Sequence, residues 1–275
     1  MGKPLHPTPY ADVNVVLDHF LSSIQAVLGD HFVGMYLDGS LALGDFAPHS
    51  SDIDFVVTTD DELADGLFVA LRDTHARFDA SGSSWATEVE AVYIPQSALR
   101  RYDPAHACCP RIERGETLVM EHLDSGWVIH WYILREHGIA VAGPDPRLLI
   151  DPVDPQEMRR AMAAIGESWL EPARHDRIAL RRRGSQTYTL LTLCRMLYTL
   201  DSGAVVSKPV AARWAQTTLG TRWAALIKRA LAWRKDPTCQ ETPSDEDISD
   251  TLALIEYTLE RCRQSDPSPA PAAPG

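Results

Sequence analysis

The stretch GMYLDGSLALGDFAPHSSDIDFVVTTD, Gly34 to Asp60, decides how the chain is read. Two apolar runs, Gly34–Leu37 and Ile53–Val57, flank a Gly-Ser pair at Gly39-Ser40 and two carboxylates, Asp52 and Asp54, separated by one residue. Alternate residues of a strand share a face, so Asp52 and Asp54 are expected side by side while Ile53 and Phe55 turn into a core. Two like charges so close repel unless a cation lies between them. A hard ion such as magnesium takes carboxylate oxygens together with the oxygens of a substrate phosphate. The Gly39-Ser40 turn offers that phosphate close backbone approach, N–H groups and a hydroxyl. The stretch implies a site for a metal-bound nucleoside triphosphate.

The flanking sequence supplies a domain for this site. Val13, Val16, Leu17, Phe20, Leu21, Ile24, Val27 and Leu28 recur at helical spacing ahead of it. After it, Asp60 and Asp61 are expected at the start of a helix with the stripe Leu63, Leu67, Leu71 and Phe78. Residues 86–94 are expected as a third strand with Glu88, Glu90 and Val92 on one face, an arrangement that makes sense if that face meets the metal. Leu123–His137 reads as a helix ended by Gly138, and Ile139–Ala142 as a strand stopped by Gly143-Pro144. Beyond the proline-rich stretch 145–155 the strand signals vanish. Residues 156–170, 185–200, 210–219, 223–233 and 248–262 are all helical by pattern. The expected class is α+β: a mixed sheet flanked by helices over residues 1–150, an all-helical domain over 151–264, and a proline- and alanine-rich disordered tail over 265–275.

Composition narrows the function. The 275 residues are 45% hydrophobic and 23% charged, as in globular proteins, and the net charge of -12 argues against binding long nucleic acid. The start, MGKPLHPTPY, lacks the build of a signal peptide and no apolar run reaches membrane-span length, so a cytoplasmic protein is expected. Five cysteines without C-x-x-C spacing indicate neither zinc nor a disulfide framework, and Cys108-Cys109 are expected as small buried side chains. His122, His130 and His137 stand in no metal-ligand pairing with a carboxylate motif and read as ordinary.

Gly39-Ser40 followed by Asp52-Ile53-Asp54 resembles the signature of the DNA polymerase β-like nucleotidyltransferases. Gly138–Pro144, Leu190–Tyr198 and Gly203–Trp214 look like successive segments of the streptomycin and spectinomycin adenylyltransferases within that superfamily. The resemblance implies transfer of AMP from ATP to an antibiotic hydroxyl with release of pyrophosphate, using two magnesium ions; a monomer is expected. It implies Asp52 and Asp54 as metal ligands and Glu88, within ATEVE, as general base, with Glu90 as the competing candidate. It implies Gly39, Ser40, Ser51, Arg195 and Lys208 as nucleotide contacts and Trp169 as a residue beside the drug. The expected partners are ATP and an antibiotic-like small molecule, with no nucleic acid and no membrane. A nucleotidyltransferase for another small hydroxyl compound or a protein side chain, and a non-catalytic nucleotide-binding regulator, are the competing readings.

The departures bear on the acceptor. Streptomycin-modifying relatives carry an acidic residue just before the long LTL helix, where this chain has Ser185. A streptomycin guanidinium loses its partner there, so the smaller, less charged spectinomycin is favoured. Carboxylates expected to meet a cationic drug are Glu171 and Asp176, with Glu113 and Glu116 behind them.

Overall fold

The computed structural model describes residues 6–236 and 241–265. The chain divides into two compact units, Met1–Val153 and Asp154–Gly275. The first holds a six-stranded mixed sheet and the second is helical, the α+β class expected. Cys239 and the tail after Ser265 lie outside the described residues. Among the described residues no helix is long and apolar enough to cross a membrane.

In the first unit, helix α1 (Ala11–Leu28) leads into β1 (Phe32–Leu37), the short α2 (Gly39–Ala42), β2 (Ile53–Thr59) and α3 (Asp65–Asp79). Then come β3 (Val89–Pro95), α4 (Gln96–Leu99), β4 (Cys108–Ile112), β5 (Val119–His122), α5 (Val128–His137), β6 (Ile139–Ala142) and α6 (Pro146–Leu149). The strand order is β5-β4-β3-β2-β1-β6. Among the described strands only β2 and β3 run parallel, with Ile53 opposite Val89 and Asp54 opposite Glu90. Strand alternation splits the core in two. Met35, Leu37, Ile53, Phe55, Val89 and Ala91 pack with α1 and α3 residues, whereas Tyr36, Val56, Val92 and Ile94 pack with Trp131 and Leu134 of α5.

The helix after β2 starts later than expected. His31 Nδ1 pairs with Asp60 at 2.9 Å, and Asp61 accepts from Thr59 Oγ1 and from the Glu62 N–H. These acids close a turn, and α3 opens at Asp65. The third strand also starts late. Ala86 N–H bonds back to the Ser83 carbonyl and Glu88 N–H to the Trp85 carbonyl, so residues 86–88 form a turn. Trp85 holds that turn down, packed on Phe46 and donating its indole N–H to Asp12 at 3.1 Å. Cys108 is exposed, against expectation, because it opens β4 on the side away from Cys109, which is buried.

The second unit contains α7 (Pro155–Ile165), a π-helical turn (Gly166–Leu170), α8 (Glu171–Ala173), α9 (Arg177–Leu180), α10 (Arg183–Ser202), α11 (Lys208–Thr218), α12 (Thr221–Lys235) and α13 (Asp245–Ser265). Helix α7 has a capping box, with Asp154 accepting from Gln156 N–H and Glu157 reaching back to Asp154 N–H. Helix α10 is the hub: twelve of its residues are buried, and it ends at Gly203 in the left-handed conformation, φ 71°. Helix α13 starts three residues before its expected bound and runs to Ser265, into the stretch expected as tail.

Phe20 of α1 sits 5.4 Å from Phe55, 4.6 Å from Phe78 and 5.0 Å from His75, centroid to centroid. His75 is buried and bonded through Nε2 to Tyr93 Oη at 2.8 Å. Burial pushes its pKa down to about 4. The unfolded chain takes up this proton near pH 6.5, so His75 contributes stability above that pH and loses it as pH falls to about 4. Urea unfolding at several pH values should show wild-type stability falling relative to His75→Gln across this window, by up to roughly 3 kcal/mol. A constant difference between the two proteins would refute the assignment.

Candidate active site

Position in the sheet sets which side chains meet. Asp54 continues the side of Val56, and Glu90 the side of Val92, so both project toward the face covered by α5. Asp52 lies one pleat before Asp54, at the mouth of β2. Asp52, Asp54 and Glu90 each bring one carboxylate oxygen to within 4.8 Å of the others, all three half-buried. Burial and the neighbouring Asp52 raise the Glu90 pKa to about 7; Glu113 adds to this and Arg111 opposes it. A set of hard oxygen donors converging on one point suits a divalent ion such as magnesium.

Glu88 is not in this group. It stands in the turn before β3, and its carboxylate is ion-paired with Arg114. The expectation that Glu88 and Glu90 share a strand face is corrected by the fixed turn at Trp85–Glu88, and the acid gathered with the aspartates is Glu90.

Gly39 adjoins the cluster. Its φ is 56°, and a Cβ there would lie 2.1 Å from Asp54 Oδ2, so only glycine lets the β1–α2 turn close over that carboxylate. Ser40 Oγ, in the same turn, is buried without a hydrogen-bond partner. Ser51 is buried, and its Oγ accepts from Ala47 N–H at 3.1 Å, which ties the loop ahead of Asp52.

Two further residues on this face were not assigned to the site from the sequence. Asp38, immediately before Gly39, is buried at 3% exposure, and His130 Nδ1 of α5 lies 2.5 Å from its Oδ2. His130 is therefore not an ordinary surface histidine. A buried aspartate beside a Gly-Ser turn was the available signal; its partner 92 residues away was not.

In the second unit, Lys208 opens α11 with its Nζ 3.9 Å from the centroid of the Tyr188 ring. Trp169, in the π-helical turn, meets Tyr188 edge-on at 6.0 Å. Ser185 lies one helical turn before Tyr188 on α10, and Arg195 is half-buried further along it. Tyr188 was missed by the sequence reading, although its spacing of three from Ser185 puts the two on one helix face. The carboxylates expected for a cationic drug are mostly engaged. Glu171 pairs with Arg174 at 2.8 Å and Arg263 at 3.1 Å, Asp176 accepts from Ala179 N–H, and Glu113 pairs with Arg111. Arg181, the first of three successive arginines at 181–183, pairs with Asp245 at 2.9 Å.

The chain is similar to known proteins. Residues 148–261 match the family described as aminoglycoside adenylyltransferase, C-terminal domain. An aminoglycoside (3'') (9) adenylyltransferase of Shigella flexneri is 28% identical over 229 residues, 80% of this chain and 84% of the relative. A spectinomycin 9-adenylyltransferase of Campylobacter jejuni is 25% identical over 251 residues, 88% of this chain and 92% of the relative. The fold resembles that of a spectinomycin adenyltransferase from Enterococcus faecialis crystallised with ATP and spectinomycin, with a TM-score of 0.69 at 20% identity over 90% of this chain and 98% of that one. With a mixed sheet in its first unit and helices in its second, the chain is similar to the aminoglycoside adenylyltransferases, and it is a nucleotidyltransferase.

Proposed function

We propose that the protein transfers AMP from ATP to a hydroxyl of an aminoglycoside-type antibiotic, spectinomycin-like rather than streptomycin-like, and releases pyrophosphate. The observation that carries this reading is the convergence of Asp52, Asp54 and Glu90 beside the Gly39-Ser40 turn. The relatives' names supply the class of acceptor.

Asp52 and Asp54 would hold two magnesium ions, which supply charge neutralisation on the triphosphate and a lowered barrier for the attacking oxygen. Gly39 gives the phosphates backbone approach, and the partnerless Ser40 Oγ is free to donate to them. Arg195 and Lys208 are assigned to the triphosphate as cations, with Tyr188 steadying the Lys208 ammonium by its ring face. Glu90 is assigned as proton acceptor for the drug hydroxyl. Glu90 brings its carboxylate to the aspartate pair, whereas Glu88 is already engaged by Arg114.

For the acceptor, Ser185 and Trp169 flank the Tyr188 face. Glu171 and Asp176 serve arginines and a helix cap, so they are poor partners for a strongly cationic drug. Spectinomycin, smaller and less charged than streptomycin, suits this surface better.

Asp54→Asn should abolish pyrophosphate release with ATP, magnesium and acceptor, while the melting temperature without magnesium stays level or rises because a repulsion is removed. Near-normal turnover would overturn the metal site. Glu90→Gln should lower kcat by about a hundredfold or more, the scale of a lost general base, and Glu88→Gln by only a few-fold. The reverse order would restore Glu88 as the base. Pyrophosphate release should show a higher kcat/KM with spectinomycin than with streptomycin; equal or greater efficiency with streptomycin would sink the inference from Ser185.

A further inference from the structure

The metal acids belong to a longer row. Leu37 pairs with Phe55, and Asp38 N–H donates to the Asp54 carbonyl at 3.0 Å, so Asp38 stands opposite Asp54 as Asp54 stands opposite Glu90. Tyr36, Val56 and Val92, two residues along each strand, lie in the core under α5, which puts Asp38, Asp54 and Glu90 on that one face. Like charges directly opposite in a sheet are destabilising. Asp38 does not join the metal group. Its Oδ2 is taken by His130, and its Oδ1 is buried without a partner.

The imidazole is fixed as well as paired. Its ring lies against Trp127, 4.3 Å between centroids at 32°, and the Arg111 guanidinium lies 5.1 Å from the Trp127 ring. Nδ1 is committed to Asp38, while 39% of the side chain remains exposed. A carboxylate that accepts Nδ1–H leaves Nε2 of a neutral ring as a lone pair, and Nε2 becomes a donor when the ring takes up a second proton. Holding a ring by a buried carboxylate at one nitrogen, so that the other faces a reactant, is a general device for orienting histidine.

Place in the row says what that donor meets. Asp38 directly precedes Gly39-Ser40, where Ser40 Oγ is also buried without a partner, and Glu90 lies at the other end. The imidazole therefore stands at the phosphate end, away from the proton acceptor. We propose that ATP binding draws a second proton onto His130, so that Nε2–H donates to a β- or γ-phosphate oxygen, and that Asp38 is the positioning residue that fixes the ring through Nδ1–H. This assignment rests on the proposed use of ATP at the site.

The test is calorimetric binding of ATP and AMP, each with magnesium, to the full chain. His130→Ala should weaken ATP binding about tenfold or more and leave AMP binding unchanged, because AMP lacks the β- and γ-phosphates. His130→Gln, whose amide can still donate, should recover part of the loss. Asp38→Asn keeps the volume but removes the carboxylate charge that supports the doubly protonated ring; it should match His130→Ala, with the double variant no worse than either. ATP affinity within twofold of wild type in both single variants, or an equal loss for ATP and AMP, would overturn the proposal. Omitting magnesium from the wild-type titration reads the proposed function separately. ATP affinity that does not fall without it would contradict the metal site, while the comparison among variants would still decide the role of His130.

Discussion

Three carboxylates held within 4.8 Å of one another in a half-buried setting are the constraint that the first unit depends on. At an effective dielectric near 20, each ionised pair at that range costs on the order of 3 kcal/mol, set against a total stability of roughly 5–15 kcal/mol for a domain. The sheet holds them there through rigid means. The parallel register fixes Asp54 opposite Glu90, Ile53 and Phe55 anchor β2 in the core, and Gly39 closes on Asp54 where any side chain would collide. Glu90 relieves the strain by titrating near 7, and Asp38 by taking His130 as partner. A divalent ion would relieve it more fully. A site that is repulsive alone and attractive with a metal-bound triphosphate is preorganised for charge neutralisation.

Much of this was legible in the sequence because it is local. Ile53–Val57 has the length and composition of a buried strand, Gly138 and Gly143 punctuate the helix and strand between them, and Asp52 and Asp54 differ by one strand repeat. The misplacement of Glu88 has a definite cause. Alternation in residues 86–92 is satisfied equally by a strand beginning at Ala86 and one beginning at Val89, and the choice is made by Trp85, whose indole docks on Phe46 and Asp12 far away in sequence. His130 was read as ordinary for the same kind of reason, since its meaning depends on Asp38, 92 residues earlier. The engagement of Glu171 by Arg263 in α13 was equally non-local.

The second unit places a different chemistry on one helix surface. Tyr188 lies between a tryptophan and an ammonium, edge-on to Trp169 at 6.0 Å and beneath Lys208 Nζ at 3.9 Å. A cation over an aromatic face is stabilised by roughly 0.5–2 kcal/mol and is held in one place. The π-helical turn that carries Trp169 interrupts what the sequence pattern reads as continuous helix, and such turns recur at functional sites. Gly166 within it lies against Cys262 of α13, where a Cβ would come within 3.1 Å, so close helix packing accompanies the irregularity.

The central claim is that Asp52, Asp54 and Glu90, and not Glu88, surround the catalytic metal. Manganese soaked into crystals of the protein with a non-hydrolysable ATP analogue tests it directly through anomalous scattering. The account predicts a peak about 2.1–2.4 Å from carboxylate oxygens of Asp52 and Asp54, with Glu90 facing it and Glu88 still on Arg114. A peak ligated by Glu88, or none beside the two aspartates while the nucleotide is bound, would contradict it.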